Sequence, residues 1–368
     1  MADLKTNICG IEFVNPVFTA AGPTSANYEM LERAKLGGAG GIVTKTISVI
    51  PARVPIPNIS NFTPNNLLNA ELWSEIPYQK FIESELKRIR SLGLPVIASV
   101  GYSPEDLEIL GRTLNGTGLI DAVEFSIHYV DKDAGNLRTT ALALKKNINV
   151  PVLAKFSPAV SNLPLAIELL DDVIDGYVAI NSVGPALDFD VETGKPFLGS
   201  MDGRGWLSGR AILPIGLHFV ASIYSLSKKP VIGVGGIRTG EDVVKYLMAG
   251  ASAVQVCSAS ILKGQNVYGK IAGDLNKWMD KHNYPDIKSL VGKFHQQEIK
   301  KQYFLFEDKQ ILPTVDLSLC DKCGACVKIC VHNALKLNEH LELKKELCVR
   351  CGICTQVCPT GALEMKEE

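Results

Sequence analysis

The 368-residue chain has no apolar run approaching the roughly 18 residues that a bilayer-spanning helix requires. It opens Met-Ala-Asp-Leu-Lys-Thr, without the basic stretch and apolar core of a secretory leader, so a cytoplasmic protein with no membrane partner is expected. Charge of either sign is not in excess. The 38 Lys and Arg against 39 Asp and Glu leave a net charge of -1, which argues against a nucleic-acid partner and against long disorder. No Gly-x-Gly-x-x-Gly follows any strand-like run, so the chain lacks the dinucleotide fingerprint, and NAD(P)H would have to be oxidised by another protein. Cysteine is scarce for most of the length: of 10 in all, only Cys9 and Cys257 precede Cys320. Cys9 reads as a small buried hydrophobe.

The remaining eight cysteines crowd between Cys320 and Cys358, and this composition shift marks a domain boundary, set at 1–311 and 312–368. A module of this size cannot stabilise itself by burial alone. Its cysteines run Cys320-x-x-Cys323-x-x-Cys326-x-x-x-Cys330 and again Cys348-x-x-Cys351-x-x-Cys354-x-x-x-Cys358-Pro359, the spacing by which thiolates hold two [4Fe-4S] clusters, each run lending its fourth cysteine to the other cluster. One cluster then takes Cys320, Cys323, Cys326 and Cys358, and the other Cys348, Cys351, Cys354 and Cys330. Asp-Lys-Cys-Gly-Ala-Cys and Val-Arg-Cys-Gly-Ile-Cys repeat one another, as a duplicated loop would. Zinc and disulfides are the competing readings; zinc sites rarely carry this spacing, and disulfides conflict with the expected compartment. Val331 stands where proline usually follows the fourth cysteine.

Before residue 300, short β-branched runs alternate with amphipathic stretches, the pattern of a parallel sheet with crossover helices. Strands are predicted near Pro16–Phe18, Gly41–Lys45, Pro95–Val100, Ala122–Ile127, Val150–Phe156, Gly176–Asn181, Pro230–Val234 and Ala253–Val256. Helices are predicted over Tyr28–Leu36, Tyr78–Leu92, Leu163–Ile174, Ile212–Leu226, Glu241–Ala249 and Asn266–Lys281. Eight strands point to a (β/α)8 TIM barrel followed by a small ferredoxin-like domain, with a doubly wound sheet as the alternative. In such a barrel the chemistry lies at the C-terminal strand ends, here Lys45-Thr46, Ser99, Ser126 to Tyr129, Lys155, Asn181-Ser182, Gly235-Gly236 and Cys257-Ser258.

Ala20-Ala21-Gly22-Pro23-Thr24, Val43-Thr44-Lys45-Thr46, Leu68-Asn69-Ala70-Glu71-Leu72, Leu153-Ala154-Lys155-Phe156, Ile180-Asn181-Ser182-Val183, Leu207-Ser208-Gly209 and Gln255-Val256-Cys257-Ser258-Ala259 together resemble the dihydroorotate dehydrogenase superfamily of FMN barrels. The similarity is greatest to the FMN and iron-sulfur portion of dihydropyrimidine dehydrogenase. The resemblance implies that Lys45 and Lys155 meet the flavin ring or ribityl chain, with Ala21 and Thr46 beside them. It assigns the FMN phosphate to Gly209, Gly235, Gly236, Cys257 and Ser258, counts Ser208 among the cofactor-binding residues, and places Asn181 in both the flavin and the substrate sites.

Asn69, Ser126, Asn181 and Ser182 fall on the positions that contact substrate in that family, and Tyr129 falls on the proton-transfer position, with His128 as its competitor. The family pattern breaks here. Glu124-Phe125-Ser126-Ile127-His128-Tyr129 carries serine for the pyrimidine-holding asparagine and no catalytic cysteine, so pyrimidine chemistry does not carry over directly. Arg53, Arg138, Arg204 and Arg210 are further candidates for an acidic substrate group. The reading is therefore an FMN- and iron-sulfur-dependent enzyme acting on a CH-CH bond next to a carbonyl, an ene reductase or dehydrogenase, with two clusters relaying single electrons. Its expected partners are a small-molecule substrate and either a ferredoxin or an NAD(P)H-oxidising flavoprotein subunit, with a homodimer allowed. The rivals are a dihydropyrimidine or dihydroorotate dehydrogenase subunit and a non-catalytic electron-transfer flavoprotein.

Overall fold

A computed structural model describes residues 2–127, 134–296 and 311–367. The chain divides into two compact units, Met1–Gln297 and Glu298–Glu368. In the first, eight parallel strands follow one another around a barrel: Val17–Thr19, Ile42–Val43, Val96–Val100, Ala122–Ser126, Val152–Phe156, Gly176–Ala179, Val231–Val234 and Ala251–Val256. Each pairs in parallel with the next from the second to the eighth, and the eighth pairs with the first. A parallel bridge between Phe18 and Gly41, with Gly40 N donating to Val17 O at 2.8 Å, joins the first strand to the second. The barrel, not the doubly wound sheet, is the architecture. Both faces of its strands are covered, which is why Val96–Val100, Ala122–Ser126 and Val152–Phe156 are buried at every position.

Polar residues mark the helix starts. Asn27 Oδ1 accepts from Met30 N at 3.0 Å and opens Tyr28–Leu36; Ser103 Oγ accepts from Asp106 N at 3.1 Å ahead of Pro104–Leu114. Thr239 and Asp242 cap one another at Gly240–Met248.

Within the barrel, strand alternation sorts the side chains into layers. One apolar cluster takes a residue from every strand: Phe18, Val43, Ile97, Ala122, Leu153, Val178, Ile232 and Ala253. Ile8 and Phe13 join it from an N-terminal hairpin, Thr6–Ile8 with Ile11–Phe13, so this end of the barrel is filled. Cys9 sits in the hairpin turn at positive φ and packs against this cluster as expected of a small hydrophobe, but it is only half-buried and its thiol has a hydrogen-bond partner, Asp175 O at 3.3 Å.

Two residues further along each strand, the next layer is Ala20, Lys45, Ser99, Glu124, Lys155, Ile180, Val234 and Gln255. Polar groups thus enter the barrel only toward its C-terminal end. Above that end the segments after strands two and six each contribute two strands, and these form one antiparallel sheet in the order Val183–Ala186, Gly205–Gly209, Asn66–Asn69, Ile59–Thr63. Its central register sets Trp206 opposite Asn69 and Gly209 opposite Asn66. Among the described residues no helix is long and apolar enough to cross a membrane.

In the second unit Ile311–Val315 pairs antiparallel with Leu363–Glu367, and Leu335–Leu337 with Leu341–Leu343. Helices Ala325–Ile329 and Ile353–Gln356 follow the two cysteine loops. Its core cluster is small, Leu335, Leu341, Cys354 and Leu363, with Cys326, Cys330 and Cys358 packed against it, and Leu312, Ala334 and Ala362 are buried beside it.

Candidate active site and cysteine loops

A cleft with about 1220 Å³ of open space lies over the C-terminal strand ends. Its walls carry Ala21, Lys45, Thr46, Asn69, Ser126, Lys155, Asn181, Ser182, Ser208, Gly209, Gly235, Gly236, Cys257 and Ser258, so the flavin and substrate residues that the resemblance implies within the described part of the chain meet here. His128 and Tyr129 lie outside the described residues. Sequence reading missed Glu71, Tyr102, Trp206, Arg238 and Gln255 in the same walls, and Glu124 directly behind them.

At the floor, Lys155 Nζ donates to Glu124 Oε1 at 3.2 Å and to Gln255 Oε1 at 3.1 Å, while Gln255 Nε2 donates to Glu124 Oε2 at 2.6 Å. All three are buried, Glu124 and Gln255 completely. Desolvating a carboxylate and an ammonium is repaid only when the pair is close and its remaining hydrogen-bonding capacity is used, and the closed triangle meets both conditions. An ammonium has three donors, and two are spent; the third proton is available to the cleft, which Lys155 lines. Adding two to Ala122, Leu153 and Ala253 finds all three residues, so the period of the strands carried the signal.

Nearer the mouth, Lys45 Nζ lies 2.6 Å from Glu71 Oε2, and Asn58 Nδ2 donates to the other carboxylate oxygen. Both members of the pair are largely buried. Asn69 Nδ2 donates to Trp206 O at 3.1 Å and its Oδ1 accepts from Glu71 N at 3.3 Å, so this amide ties the overlying sheet together at the cleft wall. Asn181 Oδ1 accepts from Ser182 N at 2.8 Å and from Ser182 Oγ at 3.3 Å, and Thr46 Oγ1 and Ser99 Oγ are 2.9 Å apart.

After the seventh strand, Gly235 and Gly236 have φ of 122° and 74°, and a Cβ on Gly236 would stand 2.7 Å from the Leu213 Cβ and 2.8 Å from its backbone. Only glycine allows this close turn, which turns backbone toward the cleft. Burial pushes the Cys257 thiol up to about 11, so at neutral pH it is a neutral wall group. Arg238 Nε, shut off from solvent, has no hydrogen-bond partner among the described residues. A cleft that gathers two lysines, a glycine turn and an unpartnered guanidinium donor fits a flavin mononucleotide: a planar ring that accepts hydrogen bonds, joined to a phosphate.

None of the four arginines proposed for an acidic substrate group lines the cleft. Arg138 pairs with Asp172, Arg204 with Asp202 and Arg210 with Asp242, while Arg53 is exposed.

The cysteines of the second unit sort as the crossed spacing requires. Cys320, Cys323, Cys326 and Cys358 line one pocket, and Cys330, Cys348, Cys351 and Cys354 line another. The loops are built alike, with positive φ at Lys322 and Gly324 and again at Arg350 and Gly352. Among the described residues no three His, Cys, Asp or Glu stand close enough to hold a single metal ion. Thr360 Oγ1, 3.6 Å from Cys358 Sγ, pulls that thiol's pKa down toward the thiolate a cluster takes.

Barrel, cleft and cysteine loops together define an oxidoreductase of the flavin-barrel class with an iron-sulfur module. The chain belongs to the dihydroorotate dehydrogenase family, whose sequence profile matches residues 3–279; a second profile, described as a 4Fe-4S dicluster domain, matches residues 319–367. A relative from Methanocaldococcus jannaschii is 32% identical over 311 residues, covering 80% of this chain and 98% of the relative. One from Thermoplasma acidophilum is 36% identical over 304 residues, covering 79% and 99%. Both are named dihydroorotate dehydrogenase B (NAD(+)), catalytic subunit. The protein is thus a flavin-dependent oxidoreductase carrying a 4Fe-4S domain.

Proposed function

We propose that the protein uses FMN to reduce, or in reverse to form, a carbon-carbon double bond next to a carbonyl, with residues 1–311 as the FMN barrel and 312–368 as a module holding two [4Fe-4S] clusters. FMN, when bound, exchanges hydride with the substrate carbon and single electrons with the clusters. Lys155, held by Glu124 and Gln255, presents one fixed positive donor to the ring edge. Lys45 does the same from the mouth while Glu71 holds its ammonium in place. Asn69, Ser126, Asn181 and Ser182 orient the substrate carbonyl. Tyr129 gives the proton that completes reduction, a role that suits a phenol because an unperturbed tyrosine, with a pKa near 10, stays protonated at neutral pH.

The observation that carries the choice of substrate is Glu71. Its carboxylate neutralises Lys45 inside the cleft, and none of the arginines first considered reaches it. An anionic substrate group set here would face Glu71 in a poorly solvated site, which costs binding energy. An uncharged enone, unsaturated lactam or enoyl ester meets no such penalty. Dihydroorotate, the substrate named for the relatives, carries a carboxylate and is the second reading; Ser126 in place of an amide side chain also weighs against it. Electrons pass to or from a separate protein, a ferredoxin or an NAD(P)H-oxidising flavoprotein, as the relatives' name of catalytic subunit suggests.

Steady-state turnover of neutral enones against dihydroorotate and orotate, with an artificial one-electron mediator, tests the proposal. Turnover confined to neutral substrates supports it, turnover of dihydroorotate alone moves the protein to the second reading, and a flavin inert to all of them leaves an electron-transfer protein.

A further inference from the structure

Asp242 sits at the start of helix Gly240–Met248, nearly fully buried, and its acceptors are already used. Arg210 pairs with Oδ1, and the backbone N–H groups of Arg238 and Thr239 donate to Oδ2 at 3.0 and 3.1 Å. The Arg238 main chain is therefore anchored by this carboxylate, while the Arg238 side chain has no carboxylate partner among the described residues. That side chain instead lines the cleft beside Gly235, Gly236 and Ser258, and its Nε is shut off from solvent without a hydrogen-bond partner. A guanidinium donor so placed is costly unless an anion meets it, because a buried donor left unmade forfeits its full desolvation.

Resting on the flavin reading above, we propose that Arg238 is the charged contact for the terminal phosphate of FMN and that it makes this site select the phosphorylated flavin over riboflavin. Backbone N–H groups of the glycine turn shape the phosphate pocket but bring no net charge. The guanidinium brings a full positive charge and a donor fork that fits a phosphate, and it is held there by the Asp242 anchor on its own backbone. The ring end of the cleft, with Lys45 and Lys155, is the same for both flavins and cannot tell them apart.

The test is equilibrium binding of FMN and of riboflavin to reversibly deflavinated full-length protein, read by flavin fluorescence, for the unsubstituted chain, Arg238→Gln and Arg238→Lys. Arg238→Gln is expected to weaken FMN roughly ten- to hundredfold, the usual scale for a lost charge-assisted hydrogen bond. Riboflavin affinity should stay within about twofold, which also shows that the variant is folded, and Arg238→Lys should recover part of the loss as a point charge. Unchanged FMN affinity, or equal weakening of both flavins, overturns the assignment. An unsubstituted protein that binds neither flavin overturns the flavin reading itself.

Discussion

Glu124 is the residue on which the barrel floor turns. Removing it leaves the Lys155 ammonium buried with only an amide for company, so Glu124→Ala is expected to destabilise the barrel by about 3–5 kcal/mol, the scale of a broken buried pair. All three tryptophans, Trp73, Trp206 and Trp278, belong to the first unit, so urea unfolding followed by tryptophan fluorescence reads this barrel alone. A loss under 1 kcal/mol would mean that the triangle contributes little. Cys257 offers a second check. With its thiol raised to about 11, the thiolate fraction at pH 8 is roughly two-hundredfold below that of an ordinary cysteine near 8.5. Peptide mapping after brief iodoacetamide treatment of the folded protein should find Cys257 unmodified, and prompt labelling would contradict the burial that sets its pKa. With Tyr129 as the proposed proton donor, Tyr129→Phe should leave FMN bound and reducible while lowering substrate turnover by roughly two orders of magnitude. Unchanged turnover there, with loss in His128→Ala, would move the role to the histidine.

The turn between strand seven and helix Gly240–Met248 is the element most sensitive to a single methyl group. Gly236→Ala puts Cβ against Leu213 at a φ that L residues rarely adopt, so the turn must open. The expected result is weaker FMN binding with little change in circular dichroism, since the core contact disturbed is the single one with Leu213; retained affinity would show that the turn is not part of the cofactor site. The barrel strands and most helices were readable because buried β-branched runs and 3.6-residue patterning are local signals. Tyr28–Leu36 has its predicted bounds, and Leu163–Leu170 stops short of the predicted Ile174 because the chain turns at Asp171. The sheet formed by Ile59–Thr63, Asn66–Asn69, Val183–Ala186 and Gly205–Gly209 was not legible. Its middle pairing joins residues about 140 positions apart, and segments such as Val-Gly-Pro-Ala have no alternation to reveal them. The candidate site was half legible. Motifs named Lys45, Lys155 and the glycines, but Glu71 and Arg238 acquire meaning only from what stands beside them in space.

Across the whole chain, two units divide two kinds of chemistry, a two-electron site in the barrel and a one-electron store in the cysteine loops. Anaerobically isolated protein should carry about eight iron per chain. The crossed quartets give that number a sharper form. Cys358→Ser should disturb the cluster held by Cys320, Cys323 and Cys326, and Cys330→Ser the one held by Cys348, Cys351 and Cys354, so the two variants should show different residual electron paramagnetic resonance spectra. Identical spectra would contradict the crossing. The most direct measurement of the central proposal is anaerobic stopped-flow reoxidation of the dithionite-reduced protein, followed at the flavin absorbance, on mixing with an uncharged α,β-unsaturated carbonyl compound or with orotate. Rapid, saturable recovery of oxidised flavin with the neutral compound and slow recovery with orotate is the expected result; recovery with orotate alone, or with neither, would contradict a neutral-alkene oxidoreductase.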